Sequence, residues 1–215
     1  MRTLFQTAIT LSLAATASAA LALSLGDLSN QDASSGLKAA LQKGADVAVS
    51  KLGVENGFLN NDKVKIGLPS VLDKAMPILR MTGQGQKLDD LVVSMNHAAE
   101  QAVPLAKPLL LNAVKSMSVT DFFKQKTSAQ LGEKFLPIVK GVTDRNGLSA
   151  QYNSVMGQVG KTGMVPAQQS TVEGYVTQRA LDGLYTIIGD EEKAIRQDPV
   201  GAGSAIIGKV FGALK

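Results

Sequence analysis

From Leu88 to Met117 apolar side chains return at every third or fourth position: Leu88, Leu91, Val92, Met95, Ala99, Ala102 and Val103, then Leu105, Leu109, Leu110, Ala113, Val114 and Met117. This is the spacing of one face of an α-helix, and so long a stripe stays out of water only if other helices cover it. The pattern recurs along most of the chain. Leu37, Ala40, Leu41, Ala45, Ala48 and Leu52 make a face that stops at Gly53, and Val71, Leu72, Ala75 and Leu79 make a shorter one after Ser70. Further faces carry Leu131, Phe135, Ile138, Val139 and Val142, then Leu148, Tyr152, Val155 and Met156, then Val172, Tyr175, Val176, Ala180, Leu184 and Ile187. Val64-Lys65-Ile66 alternates, but three residues do not establish a sheet. The chain is therefore predicted to be all-α, a single-domain bundle of about six to eight helices. Pro104 and Pro108 lie inside the longest stripe, where an interior proline removes a hydrogen bond and crowds the preceding turn. That central helix is expected to kink near Pro104.

The breaks are marked by turn chemistry. Gly57–Asp62, Thr82–Gly85 and Asp144–Gly147 read as loops or stops, and Gly157–Pro166 as a linker. Ser118 with Asp121 resembles a cap, and Ser170 with Glu173 has capping-box spacing. Gly189-Asp190 is expected to break the helix that follows, with Asp190 capping a short helix through Arg196. Ile206, Ile207, Val210, Phe211 and Leu214 predict a terminal amphipathic helix after Pro199, able to dock on the bundle or to lie at a membrane interface.

The N-terminus reads as an address. Arg2, the apolar stretch Leu4–Ala15 and Ala17-Ser18-Ala19 have the order of a secretory signal peptide, with cleavage expected after Ala19. Residues 1–19 are thus assigned to a signal, 20–35 to a polar, mobile leader and 36–215 to the helical domain. The mature protein is expected in the periplasm, with no transmembrane span after cleavage, because no later segment approaches the ~20 apolar residues a spanning helix needs.

Composition narrows the chemistry. With no cysteine and one histidine, the chain offers no disulfide, no thiol nucleophile, no cysteine zinc site and no HExxH pair. A 45% hydrophobic, 19% charged composition is that of a globular chain, and a domain of this size buries roughly 70% of its unfolded surface. Loss of Arg2 takes the formal charge from +4 to +3, too mild to argue for nucleic acid. A periplasmic setting, without ATP or chromosome, points the same way. Gly203–Lys209 fits seven positions of a phosphate-binding loop, but Val210 stands where the magnesium ligand Ser or Thr is required, and no strand precedes it.

The remaining candidates are polar residues on apolar-striped helices: Asn96, His97, Glu100, Arg179, Asp182, Glu191, Glu192 and Arg196. Gathered in one pocket, they would make an acid–arginine site. Dispersed, they are helix ion pairs and caps, as the four-residue step from Glu192 to Arg196 suggests. His97 and Glu100 share a helix face, but HxxE reverses the order used in di-iron bundles, so neither metal nor cofactor is expected. Lys124, Lys126, Lys134 and Lys140 bias one region toward positive charge, either as solvated lysines or as a surface for anionic lipid.

Three segments carry a resemblance. They are Gly36–Leu41 with Asn56-Gly57-Phe58, then Met95–Glu100 with Ala106-Lys107-Pro108, and Tyr175–Thr177 through Ala180–Leu184 to Glu191–Pro199. In these the chain resembles the bacterial exported proteins grouped as domain-of-unknown-function family 4197. The resemblance spans essentially the whole mature chain and implies no particular activity. His97 stands where that family usually has arginine, and Phe122-Phe123 directly follows Thr120-Asp121, where a Gly/Asp/Ala/Thr-rich insert is usual.

The residues point first to a non-enzymatic periplasmic protein that binds a partner or an apolar ligand at the cell envelope. A hydrolase or lyase using Glu100, Asp182, Glu191, Glu192 and Arg196 is the second reading. A structural homo-oligomeric envelope component is the third.

Overall fold

The computed structural model describes residues 29–116, 123–161 and 171–213. The signal sequence, the Ser118–Asp121 cap, positions 162–166 of the linker and Ser170 lie outside them. The described residues form seven helices and no strand: α1 (Asn30–Leu52), α2 (Ser70–Met81), α3 (Gly85–Ser116), α4 (Phe123–Arg145), α5 (Leu148–Lys161), α6 (Val172–Gln197) and α7 (Ala205–Gly212). The predicted all-α bundle is what the chain adopts. No described helix is long and apolar enough to cross a membrane.

α1 and α6 pack on each other most extensively; α3 lies against α1 and α4, and α4 against α6. The stripes meet in one core in which Leu52, Phe58, Leu72, Leu91, Met95, Phe135, Leu148 and Leu184 are closed to solvent. α3 runs as one helix through Pro104 and Pro108. Neither proline has an N–H to offer the carbonyl four residues back, so packing of Ala99, Ala102, Val103, Ala106 and Leu110 carries the helix across the gap.

Four boundaries differ from the sequence expectation. The polar run Asn30–Ser35, assigned to a leader, forms the opening turns of α1. Ser29 is its N-cap: its hydroxyl accepts from Asp32 N at 3.0 Å, while Asp32 Oδ2 accepts from Ser29 N, a reciprocal cap that satisfies two otherwise orphan donors. Thr171 is the N-cap of α6, accepting from Gly174 N, and Glu173 accepts from the Ser149 hydroxyl. α6 does not break at Gly189. A helical glycine costs about 1 kcal/mol relative to alanine, and burial of Ile187, Ile188 and Ile195 on both sides of it outweighs that cost. Likewise α5 continues past Gly157 to Lys161.

The terminal helix docks on the bundle. Ile207, Val210 and Phe211 of α7 join Ala40, Ile195 and Ala202 in a small second core, and Lys209 Nζ lies 3.0 Å from Asp32 Oδ2. Contact with α1 is so close that a Cβ on Gly36 would fall 2.5 Å from a Val210 methyl. Gly36→Ala should therefore loosen α7: overpacking costs about 1–3 kcal/mol, offset in part by the ~1 kcal/mol gain in helix propensity. Amide exchange should quicken across 205–212 and stay unchanged in α3; equal protection in both variants would contradict this packing.

Candidate functional site

The sequence candidates on α3 converge on the segment that joins α1 to α2. Asn96 is fully buried, and its side-chain amide brackets one residue: Oδ1 accepts from Ile66 N at 2.8 Å, and Nδ2 donates to Ile66 O at 2.8 Å and Val92 O at 2.7 Å. Val64 and Ile66 point inward and Lys65 outward. The alternation noted in the sequence is therefore the exit of a turn, in which Val64 N and Lys65 N bond back to Asn61 O, with Asn96 taking both backbone groups of Ile66. The two bonds to Ile66 meet buried backbone groups outside any helix, which need partners of this kind.

One turn on, Glu100 is 4% exposed. Its Oε1 accepts from Phe58 N at 3.0 Å and Leu59 N at 3.1 Å, and its Oε2 from Asn56 N at 3.0 Å. Three amides aimed at one carboxylate stabilise its buried charge much as a helix N-terminus would. Asn56 sits at φ 63°, in the left-handed region asparagine tolerates better than most residues. His97 Nε2 lies 3.4 Å from Asn56 Oδ1 and 3.9 Å from Glu100 Oε2. His97 and Glu100 border an open cleft of about 400 Å³ that also meets Val54, Gln101 and Pro104.

The remaining candidates lie apart from this clamp. Asp182 accepts from Lys124 Nζ at 2.9 Å, and Glu192 from Arg196 Nη2 at 2.8 Å, one helical turn away. Asp182 and Arg196 are fourteen residues apart on α6, about 21 Å along its axis. Glu191 borders a shallow cleft near Asp198 and Gly201, at the C-terminal end of the helix. Arg179 stacks on Tyr175, its guanidinium carbon 5.4 Å from the ring centroid, beside a further cleft lined by Lys63, Lys65 and Asp182. Asn96, His97 and Glu100 thus stand together, whereas Arg179 and Asp182, and Glu191, Glu192 and Arg196, occupy separate places on α6. Among the described residues, no three His, Asp or Glu side chains come together as a metal site would require. Of the lysines on α4, Lys124 pairs with Asp182 and Lys140 with Asp144; the side chain of Lys126 is outside the description.

Sequence reading missed the other half of the clamp. Phe58 is fully buried although it lies in a non-helical segment, and its ring rests on Gly183 of α6. Lys63 reaches Asp190 at 2.6 Å from the same segment. The one available signal was an aromatic residue inside a polar, glycine-containing loop.

A helical bundle whose buried polar residues hold a long connecting segment is the class these features define. The chain belongs to the family described as "Protein of unknown function (DUF4197)", whose model matches residues 27–212. No curated protein and no solved structure matches it.

Proposed function

We propose that this protein is exported to the periplasm and acts there as a non-enzymatic binding protein of the cell envelope. The observation that carries the reading is the engagement of its candidate acids: Glu100 by three backbone amides, Asp182 by Lys124 and Glu192 by Arg196. A carboxylate with its lone pairs committed to structural donors is poorly placed to take a proton from substrate. The candidates are also spread along α6 rather than converging on one reacting atom, which a hydrolase or lyase needs. Large side chains fill the core and the clefts carry charged rims, so binding at the surface is favoured over an apolar ligand held inside. Export rests on Arg2, the apolar stretch Leu4–Ala15 and Ala17-Ser18-Ala19.

The test is cell fractionation followed by native mass spectrometry of the periplasmic protein, with cross-linking in intact cells. A chain beginning at Ala20 that carries a stoichiometric ligand or a reproducible cross-linked partner is the expected result. A cytoplasmic chain still carrying Met1 would overturn the location. Hydrolytic turnover abolished by Glu191→Gln would overturn the non-enzymatic reading.

A further inference from the structure

The geometry points to an oxyanion site, of the size and charge of a phosphate group, in the cleft between residues 63–68 and α6, with Arg179 as its principal ligand. This inference rests on the binding role proposed above and names the chemistry bound.

The cleft holds about 270 Å³ and is walled by Lys63, Lys65, Tyr175, Arg179, Asp182 and Thr186. That is below the 300–1,000 Å³ typical of pockets for drug-sized molecules, so a small group fits better than a large apolar one. The charges around it are uneven. Lys63 lies on Asp190, Lys124 on Asp182, and Lys51 and Lys193 are close enough to Asp190 to attract it. Of the groups that line the cleft itself, Lys63, Lys65 and Arg179 are cations and Asp182 is the one carboxylate. Asp62 precedes Lys63 but does not line the cleft. Asp190 is held below its ordinary pKa chiefly by the hydrogen bond from Lys63, with desolvation opposing it and Lys63, Lys193 and Lys51 adding their attraction. Both acids are thereby committed, while Lys65 and Arg179 have no carboxylate partner among the described residues.

Arg179 is also held in place. Its guanidinium lies over the Tyr175 ring, and the Tyr175 hydroxyl donates to Gly67 O at 3.0 Å, which ties the ring to the opposite wall. A stacked guanidinium loses less freedom on binding and keeps its planar edge for two parallel hydrogen bonds to an oxyanion. Lys65, and Lys63 on its ion pair, supply point charges at the rim. A fork and one or two ammonium groups suit the oxygens of a tetrahedral phosphate group, monoester or diester.

The source of the oxyanion, free phosphate compounds or a lipid headgroup, is separated by two probes on the full mature chain. Inorganic phosphate and glycerol 3-phosphate are titrated at low salt and followed by amide chemical shifts. Flotation is run with vesicles of phosphatidylglycerol in phosphatidylcholine, against phosphatidylcholine alone. Binding should fall about tenfold in Arg179→Ala and less in Arg179→Lys, which keeps charge but loses the fork. Lys134→Ala, on α4 beside a different cleft, should change it by less than about twofold. Binding of the soluble probes assigns a free phosphate compound; capture by phosphatidylglycerol vesicles alone, lost in Arg179→Ala, assigns a headgroup. Absence of both, or binding indifferent to Arg179→Ala in variants with unchanged thermal melts, overturns the site. A partner cross-linked in cells despite that outcome would leave the broader binding role standing.

Discussion

Glu100→Ala is expected to lower the unfolding free energy by about 3–5 kcal/mol. Each buried donor stripped of its acceptor costs about 1–3 kcal/mol, and here three amides, those of Asn56, Phe58 and Leu59, lose theirs together. Two effects keep the total below the full sum. Removing the carboxylate also removes the cost of burying its charge, and the amides of Asn56 and Leu59, which lie nearer the surface, can recover water. Glu100→Gln separates acceptor geometry from charge. It retains one carbonyl oxygen but turns an NH₂ toward an N–H donor, so about 1–3 kcal/mol is expected. Urea unfolding should show a lower midpoint at unchanged slope, and exchange of those three amides should accelerate before that of the α3 core. An alanine variant within about 1 kcal/mol of the parent would mean that the loop is held by something other than Glu100.

That carboxylate shows where the sequence was legible and where it was not. Asn96 and Glu100 are four residues apart on the same side of α3 as Met95, Ala99 and Val103, so a polar pair within an apolar stripe was visible. Their partners are backbone groups 30 to 44 residues away, and a backbone amide has no sequence signature. Periodicity placed the helices because burial dictates it, and it failed where local propensity and tertiary packing disagree. Gly189 reads as a break in isolation but is carried through by the isoleucines around it, and Asn30–Ser35 reads as loop until Ser29 and Asp32 are seen capping each other. The Tyr175–Arg179 step is an ordinary helix pair in sequence. Its significance depends on Gly67 and Lys65, which only the fold brings opposite.

Phe58→Ala is expected to cost about 3–5 kcal/mol, the range for emptying a buried aromatic site. The residue is fully buried in a segment of consecutive turns rather than a continuous helix, so its side chain anchors what isolated turn bonds alone would not. Its counterpart is Gly183. A Cβ there would lie 2.6 Å from Phe58 Cε1 and 3.3 Å from Val64 Cβ, so α6 approaches the loop at a distance only glycine permits. Gly183→Ala should therefore cost about 1–3 kcal/mol by overpacking, even though alanine favours the helix by ~1 kcal/mol. In the double variant the new methyl group occupies space the ring has left, and the relieved clash returns the propensity gain. The two costs should then fall short of additivity by about 1 kcal/mol or more, as expected for residues in direct contact. Urea unfolding of the four proteins of the cycle measures it. Additivity within about 0.5 kcal/mol, the behaviour of independent sites, would show that ring and helix do not share a boundary. The same cycle bears on the oxyanion cleft, whose walls are this segment and α6. Phe58→Ala should weaken phosphate binding although Phe58 does not line the cleft, because Lys63 and Lys65 keep their places only while the ring seats the loop on Gly183.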